Sequence, residues 1–282
     1  MLLSLRGRAR LFTAGRGAAI TLYAVLVLFP FIWLLSTAFK KQIDILLARF
    51  VFTPTLNTLR ELLFDPGSMF SAYFVNSVVI TLTTTAIIVA VTLFSAYALT
   101  TVRKLPPALG AVLLGWCLLF NLLPVVTFVG SWFNLFRQLG LYDTRIAIII
   151  ASVAAWLPMA LWLGVTFARE IPKELLDAAS VDGCSHWQRF RYVFVPLIRS
   201  GMTATTILVL LFVWNDFPIA LILSSEQART LPVYITAFSQ NEQIRYAEMA
   251  SSSLLVSIPV LLLLVVGQRF IVKGLLSGAV KA

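Results

Sequence analysis

Charge is the scarcest property of this chain. Its 282 residues include 22 Lys and Arg and 12 Asp and Glu, 12% in all, about half the share of an ordinary soluble domain. A soluble fold of this length must dress its surface with charge, so that class is excluded. Histidine is scarcer still: His186 stands alone, which removes His-based metal sites, Ser-His-Asp triads and histidine proton relays. As a lone imidazole in a polar loop, it is expected at the surface. The two cysteines, Cys117 in an apolar run and Cys184 in a polar segment, fall at different depths and are not expected to pair. No G-x-x-x-x-G-K-[ST] pattern occurs, so the chain brings no phosphate cradle of its own.

What is present is hydrophobicity, at 60% of residues. The uncharged runs are 17–39, 66–102, 105–136, 146–168 and 249–268, with 200–215 extended through Asp216 to 225. Each is long enough to cross a hydrocarbon core, which takes about 20 helical residues. The expectation is an all-α, polytopic membrane protein forming one domain. Its six spans are placed at about 18–39, 74–101, 108–129, 146–168, 203–223 and 251–271, with a short outside helix over 56–64. The first run is longer than a signal-peptide core and ends at Phe39-Lys40 without a small-residue cleavage site, so it is read as a retained helix. With both termini in the cytoplasm, inside segments hold 14 basic residues and outside loops 8, the bias that orients membrane proteins. The net charge of +10 is spread over these boundaries instead of forming a stripe, so nucleic acid is excluded as a partner.

The longest inside segment, 169–200, reads as two short helices about a glycine turn. Pro172 suits a helix start, and Gly183 can supply the left-handed residue that ends the helix begun at Lys173. Ser185-His186-Trp187-Gln188 has the form of a capping box opening a helix that ends near Val195-Pro196. Leu175, Leu176 and Val181 can anchor the first helix in an apolar cleft of another protein, with Lys173, Glu174 and Asp177 at the rim. An amphipathic connector lying on the membrane fits the same pattern.

These residues also carry a resemblance. Asp177-Ala178-Ala179-Ser180-Val181-Asp182-Gly183, with Ile171-Pro172 upstream and Phe190 and Pro196 downstream, resembles the EAA loop of ABC importer membrane subunits, above all the carbohydrate-uptake group. Asp177 stands where the family has Glu. Asn76-Ser77, Ser95 to Leu99, Trp214-Asn215-Asp216 and the terminal Gly274 to Lys281 are similar to the MalG-type half of maltose-type permease pairs. The resemblance implies a type I importer permease fold in the cytoplasmic membrane. The implied partners are a MalF-like permease, two ATP-binding subunits and an extracytoplasmic sugar-binding protein, with lipid around the spans. It implies no cofactor on this chain, ATP and magnesium being held by the ATP-binding subunits. It further implies that Glu174, Asp177, Ala178, Ala179, Asp182, Gly183, Phe190 and Pro196 form the ATPase-coupling loop. In the tail 273–282, Ser277, Gly278 and Lys281 would contact the ATPase dimer; a frayed terminus is the plain alternative.

Asp216 is the one acidic residue expected inside a span, where a carboxylate costs about 2.5–3.5 kcal/mol unless it faces protein or water. Trp214, Asn215 and Asp216 could meet sugar hydroxyls along a pathway, or Asp216 could clamp helix to helix; Asn121 admits the same two readings. Within the importer class, glycerol phosphates and polyols are alternative cargo. An ion-coupled carrier is weakly supported, since Asp216 alone could serve it, and no catalytic cluster for a membrane-embedded enzyme is present.

Overall fold

The computed structural model describes residues 5–101, 106–239 and 244–279; the turn at Arg103-Lys104 and the terminal Lys281 lie outside the described residues. Among those described, every regular element is helical. Five helices are long and apolar enough to cross a membrane, or six if one bent pair counts as a single span. By contact the chain divides into two units, Met1–Ser68 with Ile235–Ser257 and Met69–Tyr234 with Ile258–Ala282.

The first unit contains α1 (Leu5–Ala38), α2 (Gln42–Leu46), α3 (Asn57–Phe64) and the start of α13 (Tyr246–Ala279). Between residues 15 and 35 the apolar side chains of α1 point outward on every side, as suits a helix set among lipid or other chains. Its C-terminal end is fastened to the beginning of α13. Ser251 Oγ donates to the Ala38 carbonyl (3.0 Å), while the Gln42 amide donates to the Ile244 carbonyl (2.6 Å) and accepts from Ala247 N–H (3.1 Å). Lys40 is buried without an ion pair described for it; its ammonium lies over the rings of Trp33 and Phe52 (5.3 and 4.8 Å), whose faces attract a cation. Helix α13 begins before the expected 251 and continues through 273–279, placed above in a tail. No proline interrupts that stretch, so the helical ladder runs on, and Ser277 and Gly278 lie on the helix.

The second unit is built on three mutually packed helices, α4 (Phe70–Thr101), α7 (Arg145–Arg169) and α10 (Val195–Trp214). Buried on α4 are Asn76, Ser77, Ile80, Thr81, Thr84, Thr85, Ile88, Thr92 and Ala96, a stripe repeating every four residues. Ala147, Ala151, Ser152, Ala155, Ala160 and Gly164 are buried on α7. Small residues of this kind let backbones approach closely where no hydrophobic drive separates lipid from protein. The approach is tight enough that a Cβ on Gly164 would collide with the Thr92 methyl, and one on Gly201 with the Phe167 ring.

Two expected spans are broken. Residues 108–129 form α5 (Pro107–Leu122) and α6 (Val126–Gln138), which meet at 98°. Pro124 is the cause: it pushes Leu123 to an extended conformation (φ −88°, ψ 129°) and cannot donate to the helical ladder. The span placed at 203–223 instead runs from His186 to Trp214 and restarts as α11 (Pro218–Leu223), which α12 (Leu231–Ala237) follows in the chain. A continuous helix would set the Pro218 ring against the Trp214 carbonyl. Asp216 therefore sits at a break rather than within a helix. At the other end, the helix expected to stop near Val195-Pro196 passes through a π-helical turn, Arg189–Phe194, into α10. That wider turn relieves the carbonyl four residues before Pro196, which its ring would otherwise strike.

Candidate functional site

The segment between α7 and α10 folds as its local chemistry dictates. Helix α8 (Lys173–Val181) starts just after Pro172 and ends at Gly183, whose φ is +81°. Cys184 N–H donates to the Ala179 carbonyl (3.0 Å) and Gly183 N–H to the Ser180 carbonyl (3.2 Å), the paired bonds that close a glycine-terminated helix. The capping box is formed in both directions: Gln188 N–H donates to Ser185 Oγ (3.3 Å) and Ser185 N–H to Gln188 Oε1 (2.7 Å). It opens α9 (His186–Gln188), with His186 exposed as expected.

The two faces of α8 differ. Leu176 and Ala179 turn inward, Leu176 joining a core with Ala96, Tyr97, Phe190, Phe194 and Ile198. This corrects the expectation that Leu176 anchors in another protein, because its apolar surface is already covered by this chain. Outward lie Lys173, Glu174, Leu175, Asp177, Ala178, Val181 and Asp182, with Val181 87% exposed. Trp187 and Tyr192 add exposed aromatic surface nearby in sequence. Phe190 is buried within the second unit, and Pro196 is exposed at the start of α10. Of the eight expected coupling residues, six therefore present surface, while Ala179 and Phe190 hold the segment to its own scaffold. Arg189 braces it further: its guanidinium donates to Ser180 Oγ (2.5 Å) and lies 3.0 Å from His186 Nδ1.

At the break after α10, Asp216 is buried with both oxygens engaged. Trp156 Nε1 donates to Oδ2 (3.0 Å) and Ile219 N–H to Oδ1 (3.2 Å). Trp156 also stacks on Phe212 at 4.7 Å. Trp214 is buried edge-on to Phe74 (6.1 Å). Asn215 and Asn121 are exposed and donate to carbonyls of their own helices, Leu211 and Cys117 (2.8 Å each). Asn121 and Asn215 thus satisfy their amides within their own helices, while Trp214 and Asp216 are turned into the protein.

A second polar assembly was not apparent from the sequence. Asp143 has φ +59° in the loop between α6 and α7, a conformation Asp tolerates better than most residues. Its carboxylate accepts from the backbone N–H groups of Ser225, Glu226, Gln227 and Ala228 and from Ser225 Oγ, all between 2.9 and 3.1 Å. Asn76 grips the same loop, donating to the Gln227 and Arg229 carbonyls (2.8 and 2.9 Å) and accepting from Arg145 Nε (2.7 Å). Ser77 Oγ accepts from Leu231 N–H (2.9 Å). Burial alone would raise the Asp143 pKa; four backbone donors outweigh it and hold the carboxyl well below the usual range, because they favour the charged form. The one clue in sequence was Asn76-Ser77, two polar residues opening an apolar run. Among the described residues no group of His, Cys, Asp and Glu could hold a metal ion.

Comparison with known proteins adds to this geometry. Residues 98–275 match the family described as "Binding-protein-dependent transport system inner membrane component". The chain is similar to the trehalose transport system permease protein SugB of Mycobacterium tuberculosis, with 35% identity over 93% of this chain and 95% of that protein. It is similar to the trehalose/maltose transport system permease protein MalG of Thermococcus litoralis, with 30% identity over 92% and 94%. Its fold matches a chain from a bacterial ABC transporter involved in importing the acidic polysaccharide alginate, at a TM-score of 0.76 and 20% identity, covering 95% of this chain and 99% of that one.

Proposed function

Because the chain belongs to the family of binding-protein-dependent transport system inner membrane components, we propose that it forms half of the path by which an ATP-driven importer carries a disaccharide or oligosaccharide across the cytoplasmic membrane. It is a multi-pass transport component and not an enzyme. Both permeases compared above carry a sugar in their names, which supports a carbohydrate over a glycerol phosphate or polyol. Its companions are a MalF-like permease subunit, two ATP-binding subunits that hold ATP and magnesium, and an extracytoplasmic sugar-binding protein. Both termini lie in the cytoplasm, on the side where basic residues predominate, and lipid surrounds the outward apolar faces.

The observation that carries this reading is the outer face of α8. Leu175 and Val181 project from it, bordered by Lys173, Glu174 and Asp182, an apolar centre with a charged rim of the kind that docks a helix in a groove. ATP-driven closure of the partner dimer displaces α8, and the helices beyond it rock between outward and inward openings. Asp177, Ala178 and Gly183 belong to the same docking face, with Ser277, Gly278 and Lys281 as the accessory tail contact. Asp216 acts as a clamp: both of its oxygens already have donors, leaving Asn215 and Asn121 with surface to offer a sugar.

The test is uptake of labelled trehalose or maltose, delivered by the binding protein, into proteoliposomes that hold the assembled complex. Uptake should require ATP and should fall with Val181→Asp together with retention of the ATP-binding subunits. Uptake driven by a proton or sodium gradient without ATP would overturn the assignment.

A further inference from the structure

The outer face of α8 connects to two helices by different means. It reaches α10 through the backbone, because α9, the π turn and α10 follow one another without interruption. It reaches α4 through side chains, and Tyr97 is central among them. The Tyr97 hydroxyl donates to the His186 carbonyl (3.1 Å), in the first turn after the capping box. Its ring meets Phe190 and Phe194 edge-on at 5.3 and 5.2 Å. One helical turn earlier, Phe94 stacks on Phe190 at 4.9 Å, and Trp187 stacks on Phe190 at 5.4 Å. Arg189, next to Phe190, holds Ser180 of α8. A displacement of α8 thus passes through Arg189 and Phe190 to Tyr97 and Phe94. Apart from these contacts the turn from Gly183 to Gln188 is largely exposed, so in their absence it would absorb the movement by bending.

We propose that Tyr97 is a positioning residue for coupling: its hydroxyl and ring fix the turn after α8 to α4, so that movement imposed on the exposed face of α8 is delivered to α4 as well as to α10. This rests on the reading of α8 as the surface that meets the ATP-binding subunits.

The experiment uses the complete transporter in proteoliposomes and measures, in the same vesicles, ATP hydrolysed and carbohydrate taken up. Tyr97→Phe removes the hydroxyl and keeps the ring. Loss of one hydrogen bond of ordinary worth should lower uptake per ATP by roughly two- to tenfold, with subunit composition unchanged. A purely structural role would reduce recovered complex, leaving the ratio in the surviving complexes intact. Phe94→Leu, on the exposed side of the same stack, gives a second reading and should lower the ratio in the same direction. An unchanged ratio in both variants overturns the proposal. Val181→Asp separates the two levels. If it detaches the ATP-binding subunits while Tyr97→Phe stays fully coupled, the role of Tyr97 fails alone; if it detaches nothing, the docking assignment of α8 fails.

Discussion

Replacing Asp143 with Ala removes one acceptor group and leaves five donors without it. Their environments differ, and this sets the size of the effect. The Glu226 and Gln227 N–H groups are exposed and turn to water, whereas those of Ser225 and Ala228 are partly buried, Ala228 being almost fully covered. Two poorly hydrated donors at about 1–2 kcal/mol each put the cost of the substitution at about 2–4 kcal/mol. Asp143→Asn should be little better, since one carboxylate oxygen becomes an NH2 group facing donors. The cost falls on the loop at 224–230, so the assay is limited trypsin cleavage after Arg229 in purified protein. If opening becomes easier by that amount, cleavage should accelerate roughly 30- to 1,000-fold, one factor of ten per 1.4 kcal/mol. A rate within about threefold of the parent would refute the reasoning. The pH dependence has a definite sign. Because the folded pKa is depressed, the carboxylate's contribution is fully present above the unfolded value of about 3.9 and is lost as pH falls through the folded value. Acidification below about pH 4 should therefore lower the hydrogen-exchange protection of the Ser225 to Ala228 amides in the parent and leave that of Asp143→Asn nearly unchanged.

Three further outcomes follow from the geometry. Gly183→Ala meets nothing within 4 Å, so its cost is the left-handed backbone alone, about 1–2 kcal/mol; uptake should drop, and Gly183→Asn should lose less. Gly164→Ala drives a methyl into Thr92 and should lower the melting temperature by the equivalent of about 1–3 kcal/mol, with Thr92→Ser restoring part of the loss. Asp216→Ala leaves Trp156 Nε1 and the buried Ile219 N–H without their acceptor, so assembly yield should fall and Trp156 fluorescence should shift; normal assembly with abolished uptake would instead favour a sugar-contacting role.

How much of this was legible depended on how far apart the interacting residues are. The α8 turn could be read directly, since Gly183 and the Ser185–Gln188 box depend on neighbours within a few residues. Spans were visible as gaps between charges, but a gap does not reveal a bend. Pro124 breaks a helix inside an uncharged run, and Pro218 breaks one two residues after Asp216 in a stretch read as a single span; a count of charged residues passes over both. The stripe of small and hydroxyl residues on α4 acquires its meaning only against the small residues buried on α7. The Asp143 clasp was invisible because its partners lie 82 to 85 residues away and the contact is made by backbone groups, which carry no sequence signature. Leu176 was misjudged for a related reason: an apolar residue on a short helix does not disclose which side its own chain already covers.

The uninterrupted helix from His186 to Trp214 has a mechanical consequence. At about 1.5 Å per residue its 29 residues form a strut of about 40 Å, longer than the roughly 30 Å hydrocarbon slab. One end is bonded to the turn after α8, and the other stops abruptly at Asn215. A strut of that length amplifies angle into distance: a tilt of about 10° at the His186 end carries the Asn215 end through about 7 Å. A movement of that size is greater than the width of a pyranose ring, so a modest rotation of a short surface helix is geometrically sufficient to open or shut a sugar-sized gap at the far end of the same strut.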